Sequence, residues 1–316
     1  MPLDAHVERL LGKLAALSDS GAEQTIAQRR DSLEQLMALG ARAVAVGSVQ
    51  SLTLPGAAGP LRARLYSPER AAATALPGLL FFHGGGLVAG SLESHDGVCR
   101  ALTQATCCRV VALEYRLAPE HPFPAGLQDA LVALEWLSSR ASELGIDPRR
   151  IGVGGDSAGA TLAAVVCQIA RRTNGPPILL QLLVCPILDI AGDYASRRQF
   201  ARGYLLEQAT LDHDLKYYLQ ASDDPTDSRV CPMRCPDLSG LPPACIHTAE
   251  YDPMRDEGAA YAQRLECAGV PVSYRCHSGM IHLFYGLGAL VPAVAGAYQL
   301  IGSDVCGMIA RCGGGE

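Results

Sequence analysis

The chain has 316 residues, 49% of them hydrophobic, and carries a net charge of −6. That length suits one large α/β domain with an appendage, or two modest domains, and the acidic balance argues against nucleic acid and anionic membranes as partners. The longest uncharged apolar stretch, Leu283 to Tyr298, contains three glycines and Pro292 and is shorter than the roughly 20 residues of a spanning helix, so stable membrane insertion is not expected.

At the N-terminus Val7, Leu10, Leu11, Leu14 and Leu17 recur at the three-and-four spacing of an amphipathic helix, and a second helical pattern runs from Glu23 to Leu39. Asp4, Glu8 and Arg9 interrupt the apolar pattern, so this opening does not read as a signal peptide, and a cytoplasmic location is expected. No strand precedes the two helices. Beyond them, apolar runs predict strands at Gly78 to Phe82, Arg109 to Glu114, Arg150 to Gly154, Leu179 to Cys185, Ala244 to Ala249 and Val272 to Cys276. Helical patterns fall at His95 to Thr106, Phe123 to Leu144, Ala158 to Thr173, Arg255 to Ala268 and Ala293 to Ala310. Alternating strand and helix predicts an α/β fold with a mostly parallel sheet covered by helices on both faces.

A polar segment from Ala191 to Pro232 breaks the alternation. An insertion that long in an α/β fold is expected to be functional rather than connective. The reading that follows is a catalytic core of residues 46–190 and 233–316, with residues 1–45 and 191–232 packed together as a helical cap. The closing GGGE reads as a frayed tail. Of twelve cysteines, Cys167, Cys185 and Cys245 sit in apolar runs and act as small hydrophobes. Cys231 and Cys235 are spaced C-x3-C without a matching Cys/His pair, so neither a metal nor a cofactor is expected, and the thiols should be reduced.

Between a predicted strand and a predicted helix lies G-x-S-x-G, formed by Gly155, Asp156, Ser157, Ala158 and Gly159. A nucleophile on such a turn is held in a strained conformation, and small neighbours let the backbone fold sharply beneath it. A serine needs a base, and the base an orienting acid. After the last strand, "CHSGMIHLFYG" offers His277 and His282, of which His282 is favoured; His213 lies in the insertion and His247 within a strand. For the acid, "CIHTAEYDPMRDEG" offers Glu250, Asp252, Asp256 and Glu257. Asp252 is best placed, just past a strand end with Pro253 stiffening the turn, while Asp256 suits a cap or a loop tie.

Upstream, "FFHGGGLVAGS" sets His83 and three glycines behind an apolar run. Acyl transfer through a serine builds negative charge on the carbonyl oxygen, which needs preorganised donors. Gly84, Gly85 and Gly86 offer backbone amides with no Cβ in the way, and the amide of Ala158 completes an oxyanion hole. The order Ser, Asp, His is that of an α/β-hydrolase.

HGGG followed by GDSAG, DPMRDEG and HSGMIH, with "EYRLAPEHPFPAGLQDA" between the first two, resembles the hormone-sensitive-lipase-like family of α/β-hydrolases, in its bacterial carboxylesterase branch. The likeness spans the whole chain. It implies Ser157 as nucleophile, His282 as base and Asp252 as orienting acid, with oxyanion donors at Gly85, Gly86 and Ala158 and Gly84 shaping the loop. It also implies a two-part cap, and a homodimer paired through the last strand and helix. Leu87, Ala160-Thr161 and Leu283 depart from the family's usual residues at positions expected to line or neighbour the pocket. The resulting expectation is a carboxylic ester hydrolase acting on small-molecule esters with acyl chains of roughly four to eight carbons, a range joined to the transfer energy of buried methylenes. Amide deacylation or lactone opening on the same site are the neighbouring alternatives, and a non-catalytic small-molecule receptor the distant one.

Overall fold

The computed structural model of the chain describes residues 1–17, 24–69 and 75–313. Two helices come first, α1 (Ala5–Leu17) and α2 (Ile26–Gly40), followed by strands β1 (Ser48–Gly56), β2 (Gly59–Ser67) and β3 (Leu76–Phe82). Helix α3 (Asp96–Thr106), β4 (Arg109–Leu113), α4 (Ala125–Arg140), β5 (Ile146–Asp156), α5 (Ala158–Thr173) and β6 (Gln181–Val184) continue the alternation. The insertion holds α6 (Ala195–Gln199) and α7 (Gln208–Tyr218). Strand β7 (Ala244–Tyr251), α8 (Arg255–Cys267), β8 (Val272–Ile281) and α9 (Val294–Gly313) close the fold.

Eight strands form one sheet in the order β1-β2-β4-β3-β5-β6-β7-β8. Pairing is antiparallel for β1 with β2 and β2 with β4, and parallel elsewhere. The predicted strands are all present, within a few residues of their expected bounds. The hairpin β1–β2 is an addition. Prolines 55 and 60 and the glycines at its turn dilute its pattern, leaving buried Leu61, Ala63 and Leu65 alternating with more exposed Arg62 and Arg64 as the local signal. The central strands are apolar throughout because helices cover them: Leu79, Leu80, Phe81, Phe82, Val110 and Val111 are all fully buried.

Helix α2 begins with a capping box in which Thr25 accepts from the Gln28 amide and Gln28 accepts from the Thr25 amide. The start of its sequence pattern at Glu23 lies outside the described residues, as does the closing segment beyond Gly313. Arg30 fixes α2 to the sheet domain, donating to the carbonyls of Val88 and Ala118 at 2.8 and 3.0 Å. The insertion is fixed through α6, where the Ser196 amide donates to Asp256 at 2.8 Å and the Ser196 hydroxyl to the Pro253 carbonyl at 2.8 Å. The two segments that interrupt the alternation meet: Arg29 of α2 pairs with Asp214 of α7 at 3.0 Å. Among the described residues no helix is long and apolar enough to cross a membrane, and all twelve cysteines are unpaired.

Candidate active site

Strand β5 runs straight into the turn that carries Ser157, whose φ of 51° and ψ of −121° lie outside the ordinary regions for a residue with a side chain. Such a conformation costs about 1–3 kcal/mol and persists only when its surroundings enforce it. Here they do. The Ser157 amide donates to the Val184 carbonyl at 2.8 Å, and a Cβ at Gly155 or Gly159 would collide with the backbone packed against it. Both glycines of the motif are therefore required by the close approach of β3, β5 and α5.

The serine hydroxyl lies 2.9 Å from His282 Nε2, and His282 Nδ1 lies 2.8 Å from Asp252 Oδ2. Asp252 is fully buried, and its other oxygen accepts the Met254 amide at 2.8 Å, fixing the carboxylate in the turn after β7. An acceptor at Nδ1 keeps the imidazole proton there and leaves the Nε2 lone pair facing the serine. The other candidates are engaged elsewhere. His277 Nε2 is 3.1 Å from His247 Nδ1, and its ring packs on Phe284. Glu250 pairs with the N-terminal amine at 2.7 Å, Asp256 holds Ser196, and Glu257 binds Arg197 at 2.6 Å. Among the described residues one group of potential metal donors lies within 4.8 Å, namely Cys185 with Asp252 and His282. There the histidine and carboxylate are already joined to each other.

The glycine loop after β3 is set against this relay by Asp156. One carboxylate oxygen accepts the Gly84 amide at 3.1 Å; the other accepts the Tyr285 hydroxyl at 2.7 Å and lies 3.3 Å from His95 Nε2. Burial works against its charge, but His95 and Tyr285 hold it below the usual carboxylate range. Gly84 thus spends its amide on the scaffold. Gly85 and Gly86 follow with φ of 118° and 66°, a left-handed course that glycine adopts without strain. Their amides and that of Ala158 find no acceptor among the described residues. His83 supports the loop: its carbonyl accepts the Tyr115 hydroxyl at 2.6 Å, its Nδ1 meets the Gly84 carbonyl at 2.8 Å, and its ring stacks on Tyr115.

Beside Gly86 and Ala158 is a small cavity of about 30 Å³, roofed by Leu211, Asp214 and Tyr218 of α7. Leu87 and Thr161, two of the positions that depart from the resembled family, line it; Ala160 and Leu283 do not. A larger cavity of about 800 Å³ lies between the end of α2, α3 and α9. Ser157, Asp252 and His282 line neither cavity, and Gly86 and Ala158 are what place the smaller one beside the glycine loop. The Asp156 network, the Arg29–Asp214 pair and the Arg197–Glu257 pair were not read from the sequence. Each joins residues more than fifty positions apart, and no local spacing announces them.

Three buried histidines make an acid-stability prediction. Burial lowers His83 to about 4, with His95 adding to the effect; burial and then His277 lower His247 to about 3; burial and then Arg275 lower His277 to about 4. Each folded value lies below the unfolded value of about 6.5, so the unfolded chain binds protons that the native chain refuses. Stability is therefore fully present above about pH 6.5 and falls as the pH drops toward 4, by up to about 1.4 kcal/mol per pH unit for each histidine. Urea unfolding between pH 8 and 4.5 checks this. His277→Asn should flatten the acid limb, and an unchanged slope would contradict the assignment.

Residues 79–286 match the sequence model of a family described as having the alpha/beta hydrolase fold. The chain is 43% identical to the carboxylic ester hydrolase LipN of Mycobacterium tuberculosis over 260 residues, 80% of this chain and 69% of that protein. It is 35% identical to an arylesterase of Saccharolobus solfataricus over 90% of this chain and 93% of the other. Among solved structures, an ester hydrolase from the metagenome of Lake Arreo, crystallised with a bipyridine phosphonate derivative, superposes with a TM-score of 0.93 at 37% identity, covering 98% of this chain and 99% of that one.

Proposed function

Because the chain belongs to the α/β-hydrolase fold family, in its hormone-sensitive-lipase-like branch, and is a serine carboxylic ester hydrolase, we propose that Ser157 is its nucleophile, His282 its base and Asp252 the acid that orients the base. The observation that carries this assignment is the unbroken relay from the Ser157 hydroxyl through both imidazole nitrogens to a buried carboxylate, at 2.9 and 2.8 Å. Ser157 attacks the acyl carbon as His282 Nε2 takes the hydroxyl proton. The amides of Gly85, Gly86 and Ala158 receive the oxyanion, aided by the N-terminus of α5. His282 returns the proton to the leaving alcohol, then draws one from water as it attacks the acyl-enzyme. It gives that proton to the Ser157 oxygen as the acyl–oxygen bond breaks, releasing the acid and restoring the free enzyme. The chain's own groups and water move every proton in this cycle.

Residues 46–190 and 233–316 form the catalytic core in this reading, with 1–45 and 191–232 as the cap. Support comes from the α2–α7 contact and from the roof that α7 lays over the pocket. Unpaired thiols throughout the chain favour a reducing compartment, the cytoplasm. A homodimer through β8 and α9 is supported by the position of β8 at a sheet edge and by exposed Tyr274 and Leu300; sedimentation of the full chain as a monomer would refute it.

The substrates in this reading are short- to medium-chain acyl esters. Each methylene buried in a preformed pocket contributes up to about 0.8 kcal/mol, roughly fourfold in kcat/KM. Leu211 and Tyr218 of α7 roof the pocket beside Gly86 and Ala158, so that gain ends once the acyl chain meets the roof. On p-nitrophenyl esters from acetate to palmitate, kcat/KM should rise over the first few carbons, peak within roughly four to eight and fall beyond. A maximum at palmitate, or a jump in rate on emulsified triglyceride, would refute the acyl assignment.

A further inference from the structure

On α7, buried Leu211, Asp214 and Tyr218 share one helical face, so a carboxylate interrupts an otherwise apolar stripe turned toward the pocket. A carboxylate this buried is costly unless paired. Its partner from another element is on α2: Arg29 Nη2 lies 3.0 Å from Asp214 Oδ2, with the two side chains only 15% and 5% exposed, while the other oxygen lies 3.2 Å from Nδ1 of the adjacent His213. The Arg29 Nε is buried without a hydrogen-bond partner among the described residues, where the Nη2 contact to Asp214 is the bond this guanidinium makes. The same Oδ2 rests against the bare α-carbon of Gly86, where an added Cβ would collide with it. His213 makes a second clasp, its Nε2 2.8 Å from the Gln24 carbonyl just before α2.

Arg29 and its neighbour Arg30 have opposite partners. Arg30 grips the sheet domain through the carbonyls of Val88 and Ala118, whereas Arg29 grips α7. The line of support runs from the core through Arg30 to α2, through Arg29 to Asp214, and so to the pocket roof. The C-terminal end of α7 is held separately, by the Phe123 amide donating to the Tyr218 carbonyl at 2.9 Å.

We propose that the Arg29–Asp214 pair is a latch that seats α7 on the glycine loop and fixes the depth of the acyl pocket, making Arg29 a positioning residue for acyl-chain selectivity. The proposal rests on the reading of Ser157 and the glycine loop given above. Arg29 does not itself line the pocket. A change in chain-length preference on its replacement therefore has to travel through Asp214 and α7, which a simple lining residue would not require.

The test compares kcat and KM on p-nitrophenyl butanoate and octanoate for the full-length wild type, Arg29→Met, Arg29→Lys and Asp214→Asn. Arg29→Met should raise the octanoate-to-butanoate ratio of kcat/KM about tenfold, with kcat on butanoate within about threefold of wild type. Arg29→Lys, which keeps the charge, should retain the wild-type ratio. Combining Arg29→Met with Asp214→Asn should shift the ratio no further than the larger single change, as expected of one coupled pair. An unchanged ratio in Arg29→Met, or an equal loss of kcat on both esters, overturns the latch; if that variant fails to fold, Asp214→Asn decides by the same ratio. Failure of the underlying reading looks different, because a phosphonate would then fail to label Ser157 in the wild-type protein.

Discussion

Replacing Ser157 with alanine is expected to lower kcat on p-nitrophenyl butanoate by about 10^4-fold or more, with the fold intact. The size of the loss follows from the role proposed for the hydroxyl, which is to form the covalent bond to the acyl group. Binding and oxyanion stabilisation remain, so a small residual rate over water is expected. The fold survives because alanine meets the same backbone strain as serine at a φ of 51°. The turn, moreover, is enforced by the Ser157 amide, which donates to Val184, and by the packing of Gly155 and Gly159. Circular dichroism and a melting curve matching wild type, beside the lost turnover, check both halves. Near-normal esterase activity in this variant would contradict the whole scheme.

His282→Asn is expected to cost a similar factor, on the order of 10^4-fold, because nucleophile and base act as one unit and removing either disables both. The control is His277→Asn. Its imidazole bonds to His247 and packs on Phe284, so kcat should stay within about tenfold of wild type, with the change appearing in the acid-stability slope. Steady-state kinetics on the two variants separates them. The reverse pattern, with His277→Asn inactive and His282→Asn active, would move the base to His277 and contradict the relay geometry.

The sheet was legible where the chain writes its structure locally. Apolar runs of four to eight residues marked the six strands from β3 to β8, and the motif around Ser157 is short enough to carry its own turn. Both His277 and His282 read as lying beyond the last strand, and the resemblance implied His282. In the structure β8 runs on to Ile281, so His277 lies within the strand and only His282 follows it, within reach of Ser157. What stayed hidden was made by distance. Asp156 was visible as a motif residue, but its role in tying Gly84 to Tyr285 and His95 depends on chain segments 72, 129 and 61 positions away. Strands β1 and β2 escaped because prolines and glycines thin their alternation. The Arg29–Asp214 pair joins two regions that each read as polar helix surface; only packing turns them into a buried contact.

The most direct measurement of the central claim is covalent labelling with a p-nitrophenyl phosphonate, followed by intact-mass and peptide mass spectrometry. One phosphonyl group per chain is expected, carried by the peptide that contains Ser157. Release of p-nitrophenol should be stoichiometric, and esterase activity should disappear in step with it. Ser157→Ala should take up no label, and His282→Asn should label far more slowly because its serine lacks a base. Labelling at any other residue, or full esterase activity in protein whose Ser157 is fully phosphonylated, would contradict the assignment of Ser157 as the nucleophile.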